Sequence, residues 1–286
     1  MHTVSISNFE DLQRHLINIE QLPGQVEIDL TGYQAFIRPL FIVTVAQFIR
    51  YLRLRGHQVV NVILPRRRNI SNYLSHSISF IESFKNNFEP SPDIRCGQTS
   101  LPLMSITKDT IPDKKTIITQ FLNQYCFNKD LSVIQVCLDE ILNNCFDHAI
   151  SQTGVIAHGQ YLPKMDLIRL AICDTGIGIP TCVNNYFTKK GLARVASEDA
   201  IRWAFEQSNT TMSTPANHGL GLHTLHSAIE ASGGSYRVIT HDKWLLKHPD
   251  RQIFRDTSNF FGTAIEFELT ISDLPDLEYD DFDYDF

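Results

Sequence analysis

The chain has 286 residues, enough for one large or two modest domains. It is 43% hydrophobic and 20% charged, which excludes wholesale disorder. The formal net charge of −7 sits at one end: residues 272–286 hold seven of the 32 acids and no base, so the preceding body balances 25 acids against 25 bases. A neutral body gives no field argument for nucleic acid or an anionic membrane, and neither is expected as a partner. The longest mostly apolar run, Pro39 to Ile49, is 11 residues, short of the ~18 that a membrane span needs. The first residues have no basic stretch and no apolar core, so no secretory leader is expected. Cys96, Cys126, Cys137, Cys145, Cys173 and Cys182 form no Cys-x-x-Cys pair. They read as reduced, mostly buried thiols of a cytoplasmic protein rather than as a zinc or disulfide framework.

In chain order, residues 1–105 read as a small α/β unit. Val26–Leu30 is β-prone, Phe41–Leu54 is an apolar helix closed by Gly56, and Gln58–Leu64 is a buried strand ended by Pro65. Strand, helix, glycine turn and strand make a crossover unit. The following Arg66, Arg67 and Arg68 read as solvated cations before they read as a phosphate patch. Residues 88–113 hold four prolines and little periodicity, as a linker would. A second unit, 106–271, follows. Helices are expected at Lys115–Tyr125, Leu131–Ala149, Ser197–Glu206 and Leu222–Ala231. Strands are expected at Leu167–Cys173, Ser235–Thr240 and Thr263–Thr270, the last two as a long hairpin. The acidic tail, 272–286, repels itself and is expected to stay disordered. Its alternating Tyr, Phe and acids also suit docking in a basic, apolar partner groove.

Three stretches carry chemistry. In the first, Ile134, Cys137, Leu138, Ile141 and Cys145 recur at helical spacing. Glu140, Asn144 and His148 therefore form a polar stripe about 12 Å long on that helix. Glu140 is suited to polarise a water or hydroxyl, Asn144 to give an oxygen to Mg²⁺, and His148 to donate to a phosphate. In the second, a buried strand runs into Asp174, Gly176 and Gly178. Glycines permit close approach of backbone to a ligand, and a strand-end acid can accept from an exocyclic amine. In the third, Gly219, Leu220, Gly221 and Leu222 enter a helix whose N-terminal N–H groups suit phosphate. P-loop, dinucleotide and serine-hydrolase signatures are missing from the sequence.

In order and spacing, these stretches resemble the N, G1 and G2 boxes of the GHKL ATP-binding superfamily over roughly residues 110–270. That superfamily includes gyrase, heat-shock chaperones, histidine kinases and mismatch-repair ATPases. Gly262-Thr263, opening a late strand, agrees with it. So does Asp199–Glu206, which looks like the helix before the family's ATP lid. The resemblance implies a two-layer α/β sandwich, the Bergerat fold, binding ATP and Mg²⁺. It implies Glu140 as general base and Asn144 as Mg²⁺ ligand. His148 falls near the phosphates, and Asp174 reads the adenine amino group beside Gly176 and Gly178. Gly219, Leu220, Gly221 and Leu222 form the lid end, and Thr263 supports adenine. Residues 207–218 would be the lid.

The N-terminal unit is similar to a STAS domain, as in anti-sigma-factor antagonists. Where that family has a phosphorylatable Ser at the start of the helix, this chain has Ile37-Arg38-Pro39-Leu40, so the resemblance implies interaction rather than phosphoacceptance. A self-phosphorylating histidine kinase is not expected, because no His lies between His76 and His148. A gyrase-type clamp is not expected either, since only the acidic tail follows the Thr263–Thr270 strand. The expected function is a regulatory ATPase whose nucleotide state switches protein-partner contacts made through the N-terminal unit or the tail. A protein serine kinase of the anti-sigma type and an interaction module with a structural nucleotide stand as alternatives. A homodimer is implied by family analogy alone.

Overall fold

The computed structural model describes residues 2–89, 96–148, 151, 153–206 and 221–277. The fold is mixed α/β, with a parallel three-stranded sheet and an antiparallel five-stranded sheet.

The N-terminal part runs β1 (His2–Ser5), α1 (Phe9–Ile17), β2 (Gln25–Asp29), α2 (Pro39–Leu54) and β3 (Gln58–Ile63). The strands pair in parallel in the order β1-β2-β3. The expected crossover of strand, helix and strand is present as β2-α2-β3. Asn8 caps α1 by accepting the Asp11 N–H at 2.9 Å. Pro39 opens α2, where its missing N–H costs nothing. Gly56, at φ +87°, turns the chain out of α2 into β3.

Next come α3 (Arg68–Asn72), α4 (Phe80–Lys85), β4 (Ser100–Ile106), α5 (Ile111–Tyr125) and α6 (Ser132–Asn143). A π-type turn, Asn144–His148, continues α6. They are followed by β5 (Val155–Leu162), β6 (Leu167–Asp174), α7 (Ile179–Lys189), α8 (Ser197–Phe205), α9 (Gly221–Ala231), β7 (Ser235–His248) and β8 (Arg251–Thr270). The second sheet has the order β4-β5-β6-β8-β7.

Alternation along these strands divides the second sheet into two faces. Ile168, Leu170, Ile172, Tyr236, Val238, Ile265, Phe267 and Leu269 share a core with α5, α6 and α9. Ala171, Cys173, Ile239 and Ala264 point the other way, into a core shared with α1, α2 and the three-stranded sheet. Small side chains at Ala171, Cys173 and Ala264 let α2 lie close to the strands. That helix is buried at twelve positions, including Phe41, Val45, Phe48 and Ile49.

Several expectations change. The expected linker 88–113 contains β4, and Phe88 is fully buried. The expected unit boundary at 105/106 falls inside this strand. Pro102 masked it in the sequence. It is tolerated because β4 is an edge strand whose pairing with β5 shifts register between Leu101 and Met104. The late hairpin extends well beyond Ser235–Thr240 and Thr263–Thr270. Its outer arm packs on α1, where Trp244 meets Phe9 edge-on at 4.9 Å, and Gln13 donates to the Ser258 carbonyl at 2.9 Å. The start of the expected disordered tail is packed: Leu274 is buried, Leu277 N–H donates to the Asn128 carbonyl, and Asp276 pairs with Lys129 at 2.7 Å. Residues 278–286 lie outside the described residues. Among the described residues, no helix is long and apolar enough to cross a membrane.

Candidate functional site

Asp174 ends β6 and is 1% exposed. The turn that follows folds back on it: Gly176 N–H donates to Asp174 Oδ1 at 2.6 Å. The Thr263 N–H and the Cys145 thiol donate to the same carboxylate, the thiol to Oδ2 at 3.6 Å. Burial pushes the Asp174 carboxyl up to about 7, and the three donors pull against that rise. A carboxylate poised there changes charge within the physiological range.

Glycine is required around this acid. A Cβ on Gly262, which has φ +65°, would lie 2.3 Å from the Asp174 carbonyl oxygen and 2.5 Å from Oδ1. Gly178, at φ +75°, opens α7; a Cβ there would lie 2.9 Å from Thr240 Oγ1. Thr240 ties the pieces together. Its hydroxyl donates to the Gly262 carbonyl at 3.1 Å, accepts the Ile179 N–H at 3.0 Å, and lies 3.2 Å from Thr263 Oγ1.

Cys145 brings the first stretch to the second. It follows Asn144 in the chain, so its contact with Asp174 sets the end of α6 beside the acid. Glu140 and Asn144 are half-buried at helical i, i+4 spacing near that end. Burial, aided by the adjacent Asp139 charge, pushes the Glu140 carboxyl above the usual carboxylate range. The π-type turn from Asn144 to His148 widens the helix where the two stretches meet, a feature frequent at functional sites. The His148 side chain lies outside the described residues.

Gly221 begins α9 and Leu222 is half-buried against the core of α5 and α6. Helix α9 packs along α6. Gly219, Leu220 and the expected lid 207–218 lie outside the described residues. Asp174, Gly176, Gly178 and Thr263 are thus drawn together, with Glu140 and Asn144 on the neighbouring helix. Cys145 and Thr240 were not anticipated. Cys145 sits on the apolar face of its helix pattern and reads as core, and Thr240 is one more β-prone residue at a strand end.

No protein-family model matches the sequence, and no curated protein matches it either. Among the described residues, no group of three or more His, Cys, Asp or Glu side chains is arranged to hold a metal. The site's own chemistry is therefore a buried acceptor of tunable charge, a close-fitting backbone cradle, and a half-buried carboxylate with an amide one turn away.

Proposed function

We propose that the chain is a Mg-ATP-binding protein of the GHKL class, a regulatory ATPase whose nucleotide state switches contacts with a protein partner. The observation that carries this reading is the buried Asp174 carboxylate, closed in by its own glycine turn and by the β8 backbone, which admits only glycine at 262. Such an acid accepts from the exocyclic amine of adenine, and the glycine backbone leaves room for a flat base. Gly176, Gly178 and Thr263 belong to this base subsite.

The residues present fit the cofactor set. Asn144 offers an amide oxygen to Mg²⁺, which takes few protein ligands and completes its shell from phosphates and water. When bound, the ion supplies charge neutralisation at the phosphates. Glu140, one turn earlier, is suited to take a proton from an attacking water, and its raised affinity for a proton helps that role. The helix start at Gly221 offers backbone N–H groups to phosphate.

A protein serine kinase of the anti-sigma type is the second reading, and its phosphoacceptor would lie on a partner rather than on the N-terminal part. The start of α2 carries no Ser and is held against the second sheet, with Arg38 paired to Glu266 and Glu268. The Leu40 N–H also donates to Glu266 at 2.9 Å. The protein is read as cytoplasmic.

The test is Mg²⁺-dependent ATP binding and phosphate release by the whole chain beside Glu140→Ala. Loss of release by about 10²-fold or more with retained binding supports an ATPase. Binding without release by either protein points to the kinase or structural-nucleotide reading, and no binding overturns the proposal.

A further inference from the structure

Gln47 is fully buried on α2, in the N-terminal part of the chain, yet its amide reaches the second sheet. Nε2 donates to Thr153 Oγ1 at 2.7 Å and to the Gly154 carbonyl at 2.9 Å. Because a carbonyl only accepts, the amide must present its NH₂ group here. Oε1 has no partner among the described residues, so the two donated bonds are what this side chain contributes. An apolar residue would fill the same volume without leaving an unpaired oxygen in the core.

Gln47 anchors one end of a hydroxyl run whose direction is set at the other end by Ser151. Because the Ser151 proton goes to the Gly154 carbonyl, Thr175 donates to Ser151 Oγ and accepts the Thr153 proton at 2.7 Å, and Thr153 takes the Gln47 N–H on a lone pair. Thr175 in turn faces Ser151 Oγ at 3.1 Å. Ser151 closes the run by donating to the Gly154 carbonyl at 2.6 Å, and it also accepts the Thr175 N–H at 3.2 Å. Every hydroxyl then donates once and accepts at least once, an arrangement in which each bond polarises the next. Thr175 is the residue between Asp174 and Gly176. Both its hydroxyl and its amide are held by this run, so the run sets the turn that carries the buried carboxylate.

We infer that Gln47 is a positioning residue for the nucleotide site, supplied by the N-terminal helix and acting through Thr153 and Thr175. This inference rests on the nucleotide reading of that site. The base subsite is complete only when α2 is docked, and any partner that shifts α2 reaches the residue next to Asp174 through two hydrogen bonds.

The test compares Gln47→Met, Thr153→Val and Thr153→Ser with the wild-type chain. Three quantities are measured: affinity for Mg-ATP, amide hydrogen exchange at Thr175 and Gly176 without nucleotide, and thermal midpoint. Gln47→Met and Thr153→Val should each weaken Mg-ATP about five- to tenfold and speed exchange at both amides by a similar factor. The double variant should be little worse than either single one, because both cut the same run. Thr153→Ser, which keeps the hydroxyl, should stay within about twofold of wild type. Wild-type affinity in Gln47→Met overturns the inference, whatever happens to exchange or midpoint. If the wild-type chain itself does not bind Mg-ATP, the nucleotide reading falls, and the exchange rates alone decide whether Gln47 orders the turn.

Discussion

The two faces of the five-stranded sheet are built differently. Toward α5, α6 and α9, successive inward residues are apolar, as in Ile265, Phe267 and Leu269 of β8. Toward α2, the same strand presents Ala264, then Glu266 and Glu268. Glu268 pairs with Arg169 at 3.1 Å and lies 3.5 Å from Arg237, and Arg38 reaches both carboxylates from the start of α2. The apolar face is held by area removed from water, which tolerates small shifts of one element on another. The face toward α2 has an apolar core of its own around Ala171, Cys173, Ile239 and Ala264, and adds to it a charge cluster in which each ion needs its partner in place. The first face can therefore carry a helix that frames a binding site. The second fixes where the N-terminal part sits, and the Gln47 bonds exploit that fixed docking.

The largest test of this contrast breaks the charged face. Glu266→Ala leaves the Leu40 N–H without its acceptor and Arg38 with Glu268 alone, and should cost about 3 kcal/mol in urea unfolding. Leu170→Ala, on the apolar face, should cost about 2–4 kcal/mol by opening a cavity. A loss under about 1 kcal/mol for Glu266→Ala would show that hydrated charges, rather than a locked cluster, join the two parts.

A test of intermediate size titrates Asp174. Its folded-state carboxyl holds its proton up to about 7. Between the ordinary aspartate value and about 7, the folded chain binds one more proton there than the unfolded chain. This group's contribution to stability is thus complete at low pH and falls as pH rises through that window, then levels off. Adenine binding runs the opposite way, because the amine needs an ionised acceptor. Mg-ATP affinity should fall about tenfold per pH unit below 7 and be flat above it. Asp174→Asn should remove both slopes, and a wild-type affinity independent of pH between 5 and 8 would separate Asp174 from base recognition.

The smallest effect concerns the packed start of the tail. Lys129→Ala removes the pair with Asp276, whose side chain is 81% exposed, and should cost under about 1 kcal/mol in the same unfolding assay.

Much of the site was legible because its residues sit at ends of strongly patterned elements. Helix α6 announces itself by Ile134, Cys137, Leu138 and Ile141, and that period alone puts Glu140 and Asn144 on one line. Asp174 is marked by the buried strand before it and the glycines after it. Cys145 and Thr240 were not legible, since a thiol in an apolar stripe and a threonine in a strand announce burial, not a partner. Strand β5 was missed because Gly159 and His158 interrupt its apolar run. His158 is tolerated there by donating from Nδ1 to the Leu101 carbonyl at 2.7 Å and meeting Tyr73 at Nε2. Burial pushes that imidazole down to about 4, so it stays neutral.

By itself, the sequence determined the mixed α/β class, the β2-α2-β3 crossover, the helix that carries Glu140 and the strand that ends in Asp174. All of these depend on neighbours within one or two turns of chain, where periodicity and turn chemistry act. Only the tertiary structure decided that β4 joins the second sheet, that α2 covers its charged face, and that Cys145, Thr240 and Gln47 converge on the Asp174 turn. Those outcomes depend on residues up to 230 positions apart, as Arg38 and Glu268 are. No local pattern encodes which distant partner satisfies a buried charge or amide; that is settled only when the sheets and helices pack.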